Sequence, residues 1–305
     1  MTQDQNISTE QKVSSGWKPN SLIASMLALF SLPLGFFYAG RPGVGIIYLV
    51  CGILISTFDY IKHKFIAPDS SLLNIPFVLL FVVAAVIHAF LLAQDTKPRP
   101  KPWYAKPAGL IGILAIILTP LVIIRSFFYE PFSVPSNSMA PTITIGDLIV
   151  ISKKPYGNYG TYGVKFSTGK DLSQVIKRGD VLAFHDSVKN DVYVRRVVGL
   201  PGDTIKYEDT RLYINGKLIQ EKLISSLNDP RFGNYKIYEE SFAGQPYHIK
   251  KMDRQFGVVS RLEGEWTVPQ GHYFMMGDNR EMSKDSRIWK AISQANIIGK
   301  VIYIW

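Results

Sequence analysis

Four long apolar runs crowd the first 128 residues, and none of comparable length follows them. A segment that crosses the hydrocarbon of a bilayer needs about 20 mostly apolar residues, with its backbone hydrogen bonds closed internally. Residues 22–38 and 44–58 are the first two candidates. They are short, and Gly40-Arg41-Pro42-Gly43 breaks them into a hairpin. Residues 72–93 form a clear third span and residues 108–128 a fourth, kinked at Pro120. The first run has no small-residue cleavage site behind it and reads as retained, not as a removable leader. Only 15 charged residues lie in 1–128, against 43 in 129–305. The chain therefore divides into a tail (1–21), three membrane helices (22–94), a Pro/Lys-rich linker (95–107), a fourth helix (108–128) and a water-exposed domain (129–305).

Basic residues orient the spans. The linker carries Lys97, Arg99, Lys101 and Lys106, and Arg41 lies in the hairpin turn. Placing both in the cytoplasm puts residues 129–305 outside. It also puts outside the tail with Lys12 and Lys18 and the loop with Lys62 and Lys64, a narrow preference of five against four. Four linker prolines make a stiff spacer. The net charge of +10 is shared evenly by the two halves. Anionic lipid headgroups are a sufficient partner for such a surplus, and no nucleic-acid module is present. Cys51, the one cysteine, allows no internal disulfide and reads as a small buried residue. His88, inside the third run, reads as a neutral imidazole among helices.

Beyond residue 134 the apolar pattern changes to short runs of period two, as in Leu148-Ile149-Val150-Ile151 and Val192-Tyr193-Val194. Gly146-Asp147, Gly179-Asp180 and Gly202-Asp203 punctuate them, and Asn215-Gly216 between two such runs signals a hairpin. This half is expected to be mainly antiparallel β, with residues 222–264 as an inserted lobe or long hairpin. No His-Glu-x-x-His and no glycine-rich nucleotide loop occurs, so neither metal nor cofactor is expected.

Directly after the fourth run stands Pro131-Phe132-Ser133-Val134-Pro135-Ser136-Asn137-Ser138-Met139. Asn137 suits a position of positive φ. A turn there would push Ser138 outward and aim amide N–H groups at a developing oxyanion. The run resembles the serine box of bacterial type I signal peptidases. Four further stretches are similar, in order: Gly146-Asp147, Arg178-Gly179-Asp180-Val181, Tyr193 through Asp203, and Gly277-Asp278-Asn279-Arg280 through Arg287.

The resemblance implies a membrane-bound Ser/Lys dyad endopeptidase of the bacterial cytoplasmic membrane. Such an enzyme removes signal peptides from exported preproteins after Ala-x-Ala, on the extracytoplasmic side. It implies Ser138 as nucleophile, Ser136 in the oxyanion hole and Ser283 as the serine that orients the base. It further implies Asp278, Asp285 and Arg287 as polar support, and Phe132, Val134, Pro135 and Tyr193 as the lining of shallow pockets for small residues.

One position departs from the family. The base lysine aligns with Arg195, and a guanidinium with a pKa above about 12 does not readily release its proton. Lys153, Lys154, Lys189, Lys284, His185 and His272 are then the candidates to replace it. The alternative is a weakly active or non-catalytic paralogue that binds preproteins.

Overall fold

The computed structural model describes residues 16–66, 70–94, 96–161, 164–165, 176–186, 191–229, 233–242, 244–252 and 263–305. Lys12 and Lys189 lie outside the described residues. The chain divides into two units, Met1–Pro120 and Leu121–Trp305, with the boundary inside the last apolar helix.

Among the described residues, three helices are long and apolar enough to cross a membrane: Pro42–Lys62, Phe77–Gln94 and Pro107–Phe127. The expected fourth span is not among them. Residues 22–38 form two short helices, Ser21–Phe30 and Leu32–Tyr38, broken at an extended Ser31. Pro33 explains the break, because its ring and missing N–H cannot continue the preceding helix. The two pieces fold against each other through small residues. A side chain at Gly35 would come within 2.5 Å of the Ala24 carbonyl and 2.6 Å of the Ala28 Cβ. Ala24 and Ala28 also pack beside Ala85, Ala89 and Ala93 of the Phe77–Gln94 helix, and all five are buried. Small side chains let helix backbones approach closely where no hydrophobic force drives them together. His88 is not isolated, since its Nδ1 lies 2.9 Å from the Tyr48 hydroxyl.

The tail, the hairpin turn and the linker meet at one end of the first unit. Arg99 N donates to Trp17 O (3.1 Å), and Arg99 Nη2 donates to the carbonyls of Ala39 (3.0 Å) and Gly40 (3.2 Å). Lys101 stands 5.4 Å over the Trp17 ring, which meets Tyr38 edge-on. Gly40 has φ +73°, a conformation strained for residues with a side chain, and a Cβ there would displace the Arg99 guanidinium. The expectation that tail and linker lie on opposite sides assumes that the first hairpin spans fully; here the tail lies beside the linker, Trp17 pairing directly with Arg99.

The second unit is antiparallel β. Its largest sheet has seven strands in the order Tyr129–Ser133, Leu148–Ser152, Ile297–Ile304, Val181–His185, Val192–Gly199, His272–Met276 and Ile292–Ser293. Alternation places Ile149 and Ile151 in the core, while Leu148 and Val150 are only half-buried. A four-stranded sheet carries the expected hairpin, with Asn215 at φ 52° and Gly216 at 75°, the left-handed pair of a type I′ turn.

The weakly patterned stretch supplies a three-stranded sheet: Lys222–Asp229, Gly233–Phe242 and Gln245–Met252. It is no detached lobe, because Phe242, Tyr247 and Ile249 bury against Ile205, Leu212 and Phe274. Gly264–Thr267 pairs instead with Thr204–Glu208.

The end of the last apolar helix is bolted to the first strand. Glu130 accepts from Arg125 Nη2 (2.9 Å) and from Lys153 Nζ (2.6 Å). Lys153 Nζ also bonds the carbonyls of Arg125 (2.9 Å) and Gly160, and Lys153 N bonds Phe128 O (2.8 Å). Lys153 is 1% exposed and fully occupied here.

Candidate active site

Residues 134–147 form a closed loop above the first two strands. Val134 N donates to Asp147 O (2.9 Å), and Gly146 N returns a bond to Val134 O (3.0 Å). Met139 and Ile143 anchor the loop in the core with Ile149 and Ile151, and Phe132 and Val134 pack on the same cluster. Asn137 does not take a positive φ. Its work is done by its side chain and carbonyl: Oδ1 accepts from Ile145 N (2.8 Å), and its carbonyl accepts from Asn279 Nδ2 (3.0 Å). The Gly277-to-Arg280 segment docks on the loop through Asn279 N to Ser138 O (3.2 Å). A side chain at Gly277 would come within 2.6 Å of Ser138 O and 2.1 Å of Ser283 Oγ. Glycine is therefore required at that meeting point.

This loop brings Ser136 and Ser138 together, with their hydroxyl oxygens 3.2 Å apart. Ser138 is 8% exposed and Ser136 is exposed, so the pair stands at the edge of solvent. The strand Val192–Gly199 delivers Arg195 to the same point, its Nη1 2.9 Å from Ser138 Oγ. Nη1 also donates to Val194 O (2.6 Å), while Nε (2.9 Å) and Nη2 (2.7 Å) both donate to Lys284 O. Tyr193 and Trp289, in edge-on contact with each other at 4.6 Å, flank the guanidinium at 5.5 and 5.9 Å. Burial pushes the pKa of Arg195 down to about 10, against the opposing pull of Asp285, Tyr193 and Asp278.

Ser283, expected to hold residue 195, makes one weak contact, to Lys284 O at 3.5 Å. The carbonyl of Lys284 takes that place. Asp278 receives Arg196 through both oxygens (2.8 and 2.6 Å) and Thr142 Oγ1 (2.5 Å). Asp285 accepts from Gly277 N (3.0 Å) and from Arg287 Nε and Nη2 (2.9 and 2.8 Å). Burial raises the pKa of Asp285, but the Arg287 guanidinium outweighs it and holds the carboxyl below its usual range. Pro135 is exposed beside the serine pair.

Of the substitute bases, Lys153 is consumed by Glu130, and His272 Nδ1 bonds Gln270 O at 2.9 Å. Lys154 stands over the Phe128 ring at 4.3 Å. His185 lies on the sheet strand Val181–His185, and the side chain of Lys284 is exposed, only its carbonyl meeting Arg195.

One buried network escaped the sequence reading. Arg280 Nη1 donates to Glu240 Oε1 (2.8 Å), Arg280 Nη2 and the Tyr247 hydroxyl both bond Oε2, and Arg287 Nη2 donates to Arg280 O (2.6 Å). Spatial proximity across two sheets leaves no local signal. The nearest hint was an acidic residue in an otherwise strand-like segment. Among the described residues, no group of three or more His, Cys, Asp or Glu side chains gathers to hold a metal.

Apolar helices joined to an antiparallel β domain, with two hydroxyls and a buried guanidinium meeting at its surface, define the class to which comparison then gives a name: peptidase. The family described as signal peptidase, peptidase S26, matches residues 107–305. Signal peptidase I of Pseudomonas aeruginosa is 40% identical over 202 residues, covering 62% of this chain and 69% of that protein. That of Pseudomonas fluorescens is 38% identical over 205 residues, with the same two shares, 62% and 69%. That of Buchnera aphidicola from Schizaphis graminum is 36% identical over 220 residues, covering 60% and 70%. This chain belongs to the signal peptidase family, peptidase S26.

Proposed function

We propose that the chain is a membrane-bound serine endopeptidase that removes signal peptides from exported preproteins after small residues, with Ser138 as nucleophile. The observation that carries this reading is the meeting of Ser138 Oγ with Ser136 Oγ and with the buried residue at position 195. Its similarity to relatives named signal peptidase I supports the substrate class. Phe132 and Val134 pack on the Met139 cluster and Tyr193 packs against Trp289, and we read them as the lining of shallow pockets for small side chains. Larger ones would clash, which favours Ala-x-Ala.

In the chemical step, Ser138 Oγ attacks the scissile carbonyl and forms the C–O bond. Its proton passes to a neutral Arg195 guanidine 2.9 Å away. The oxyanion is held by the Ser136 hydroxyl and the Ser138 amide. The guanidinium then returns the proton to the departing amine as the C–N bond breaks, and water hydrolyses the ester by the same route. Asp278 and Asp285 do not touch the reacting atoms; they position the Gly277 segment beneath the loop.

The test is incubation of the purified chain in detergent with a preprotein ending its leader in Ala-x-Ala. Cleavage that Ser138→Ala abolishes is expected. Cleavage that survives the substitution would overturn the assignment of the nucleophile.

A protonated Arg195 donates to Ser138 Oγ and takes no proton from it, so rate should follow the neutral fraction. With a pKa near 10, about one molecule in a thousand is competent at pH 7 and about one in ten at pH 9. The initial rate should climb about tenfold per pH unit over that range and level off near pH 10. A profile flat between pH 7 and 9 would assign the base elsewhere. The same protonation supports a second reading at neutral pH, that of a preprotein-binding paralogue with little turnover.

The Trp17–Arg99 pairing also favours a revised topology. Three crossing helices leave the tail on the linker side. That end then carries Lys12, Lys18, Arg41, Lys97, Arg99, Lys101 and Lys106, against Lys62, Lys64 and Arg125 at the other. Such an asymmetry favours tail and linker in the cytoplasm and residues 129–305 outside. A cysteine at residue 18, in a chain with Cys51→Ala, should resist an impermeant thiol reagent added to intact cells. One at residue 209 should react under the same conditions.

A further inference from the structure

The tail, the hairpin turn and the linker bring six basic residues to one end of the first unit: Lys18, Arg41, Lys97, Arg99, Lys101 and Lys106. None of them forms an ion pair with a described residue. Asp59 is the only acidic residue described in that unit, and it already holds Lys62 at 2.7 Å. Between Pro42 and Asp59 the helix rises about 25 Å, at 1.5 Å per residue, so this carboxylate is remote from the six cations. Like charges gathered without a counter-charge repel one another, and an anion that joins them relieves the repulsion.

The cluster is built, not a loose run of charge. Arg99 Nη2 is held by the Ala39 and Gly40 carbonyls, while its Nε is buried and bonds nothing among the described residues. Lys101 Nζ stands over the Tyr38 ring (5.8 Å) as well as over Trp17. Tyr104 meets Phe37 edge-on at 6.1 Å, and Leu110 packs on the same apolar cluster as Trp17 and Tyr38. The Pro42–Phe65 helix starts at this point with no side-chain cap, so its positive end adds to the cations.

The surroundings select the anion. A phosphate diester carries one negative charge on two free oxygens, which suits a guanidinium beside an ammonium. Trp103 is 70% exposed, an amphipathic ring of the kind that sits at headgroup depth. One helical turn further in, Ile46, Ile47 and Ile111 are exposed and wholly apolar. Acyl chains have a use for those faces, and a free phosphate has none.

We propose that Lys18, Arg99 and Lys101, with the start of the Pro42–Phe65 helix, form a defined site for the phosphodiester headgroup of an anionic phospholipid whose chains lie along Ile46, Ile47 and Ile111. The bound lipid clasps the tail to the linker across the Trp17–Arg99 pairing. No part of this inference depends on the peptidase reading.

The test is native mass spectrometry of the full chain released from detergent, titrated with phosphatidylglycerol or with phosphatidylcholine of the same acyl chains. Phosphatidylglycerol is expected to bind at least about tenfold more tightly, about 1.4 kcal/mol. Lys18→Gln with Lys101→Gln, which leaves the Arg99 clamp in place, should remove that preference. Lys217→Gln with Lys222→Gln, two exposed lysines of the second unit, removes the same charge and should leave the preference intact. Equal binding of the two lipids would overturn the site, as would a preference that survives Lys18→Gln with Lys101→Gln. Loss of the preference in both double variants would show attraction by total charge alone and would also overturn it. Displacement of phosphatidylglycerol by an equal concentration of inorganic phosphate would assign a free-phosphate site in its place and overturn the lipid.

Discussion

Replacing Arg195 with lysine is expected to raise cleavage of an Ala-x-Ala preprotein at pH 7 by about 10²–10⁴-fold, the usual contribution of a well-placed general base. The reason is the difference between the two cations. Arginine here is pushed down only to about 10, so its neutral form stays rare at neutral pH. A lysine in the same apolar setting, between Tyr193 and Trp289, starts lower, and burial can depress it by several units. Its Nζ would fall near the position of the arginine Cζ, within a small side-chain movement of Ser138 Oγ. The carbonyl of Lys284, which now receives Nε and Nη2, would remain to orient it. Single-turnover rates for both proteins from pH 6 to 10 decide the matter. The lysine form should reach its plateau at least two pH units below the parent. Equal rates at pH 7 would show that protonation of residue 195 does not limit the reaction.

The second large effect concerns stability. Glu240→Ala is expected to destabilise the β unit by about 3–5 kcal/mol, because it strands Arg280 as a buried charge without a partner. Glu240 and Arg280 are each 1% exposed, and Tyr247 shares the same carboxylate. At about 2–4 °C per kcal/mol for a unit of this size, the melting temperature should fall by roughly 6–20 °C. The double variant Glu240→Leu, Arg280→Met should recover much of the loss, since removing both charges removes the stranded one. A melting temperature unchanged in Glu240→Ala would contradict the buried pair.

The same residues set the response to acid. Burial raises the pKa of Glu240, but Arg280 outweighs it and leaves the group below its usual value, as Arg287 does for Asp285. A carboxyl whose folded pKa is lowered contributes stability above its unfolded pKa and loses it as pH falls through the folded one. Unfolding free energy should therefore be steady near neutrality and decline below about pH 4.

Much of the candidate site could be read from the chain alone because its polar side chains are contributed by compact motifs. Ser136, Ser138 and Arg195 were singled out and do converge within hydrogen-bond reach. The orienting group was not legible. A backbone carbonyl such as that of Lys284 has no residue code, so a neighbouring serine was expected in its place. Asn137 was read through its tolerance of positive φ, when its side-chain oxygen had a nearer use in capping Ile145 N. In the membrane half, apolar content hid the break at Ser31. Hydropathy averages over a window, whereas Pro33 and the small faces of Ala24, Ala28 and Gly35 act at single positions. The Trp17–Arg99 pairing joins residues 82 positions apart. Charge counting treats each loop independently and had no means to detect it.

The clasp of Glu130 between Arg125 and Lys153 has a mechanical result. With Phe128 O also tied to Lys153 N, the joint between helix and strand has no free hinge. The helix terminus at Arg125 and the strand Tyr129–Ser133 are thereby held together within the second unit. A pull on the helix terminus therefore reaches the strand that leads into the 134–147 loop through side chains as well as through the backbone.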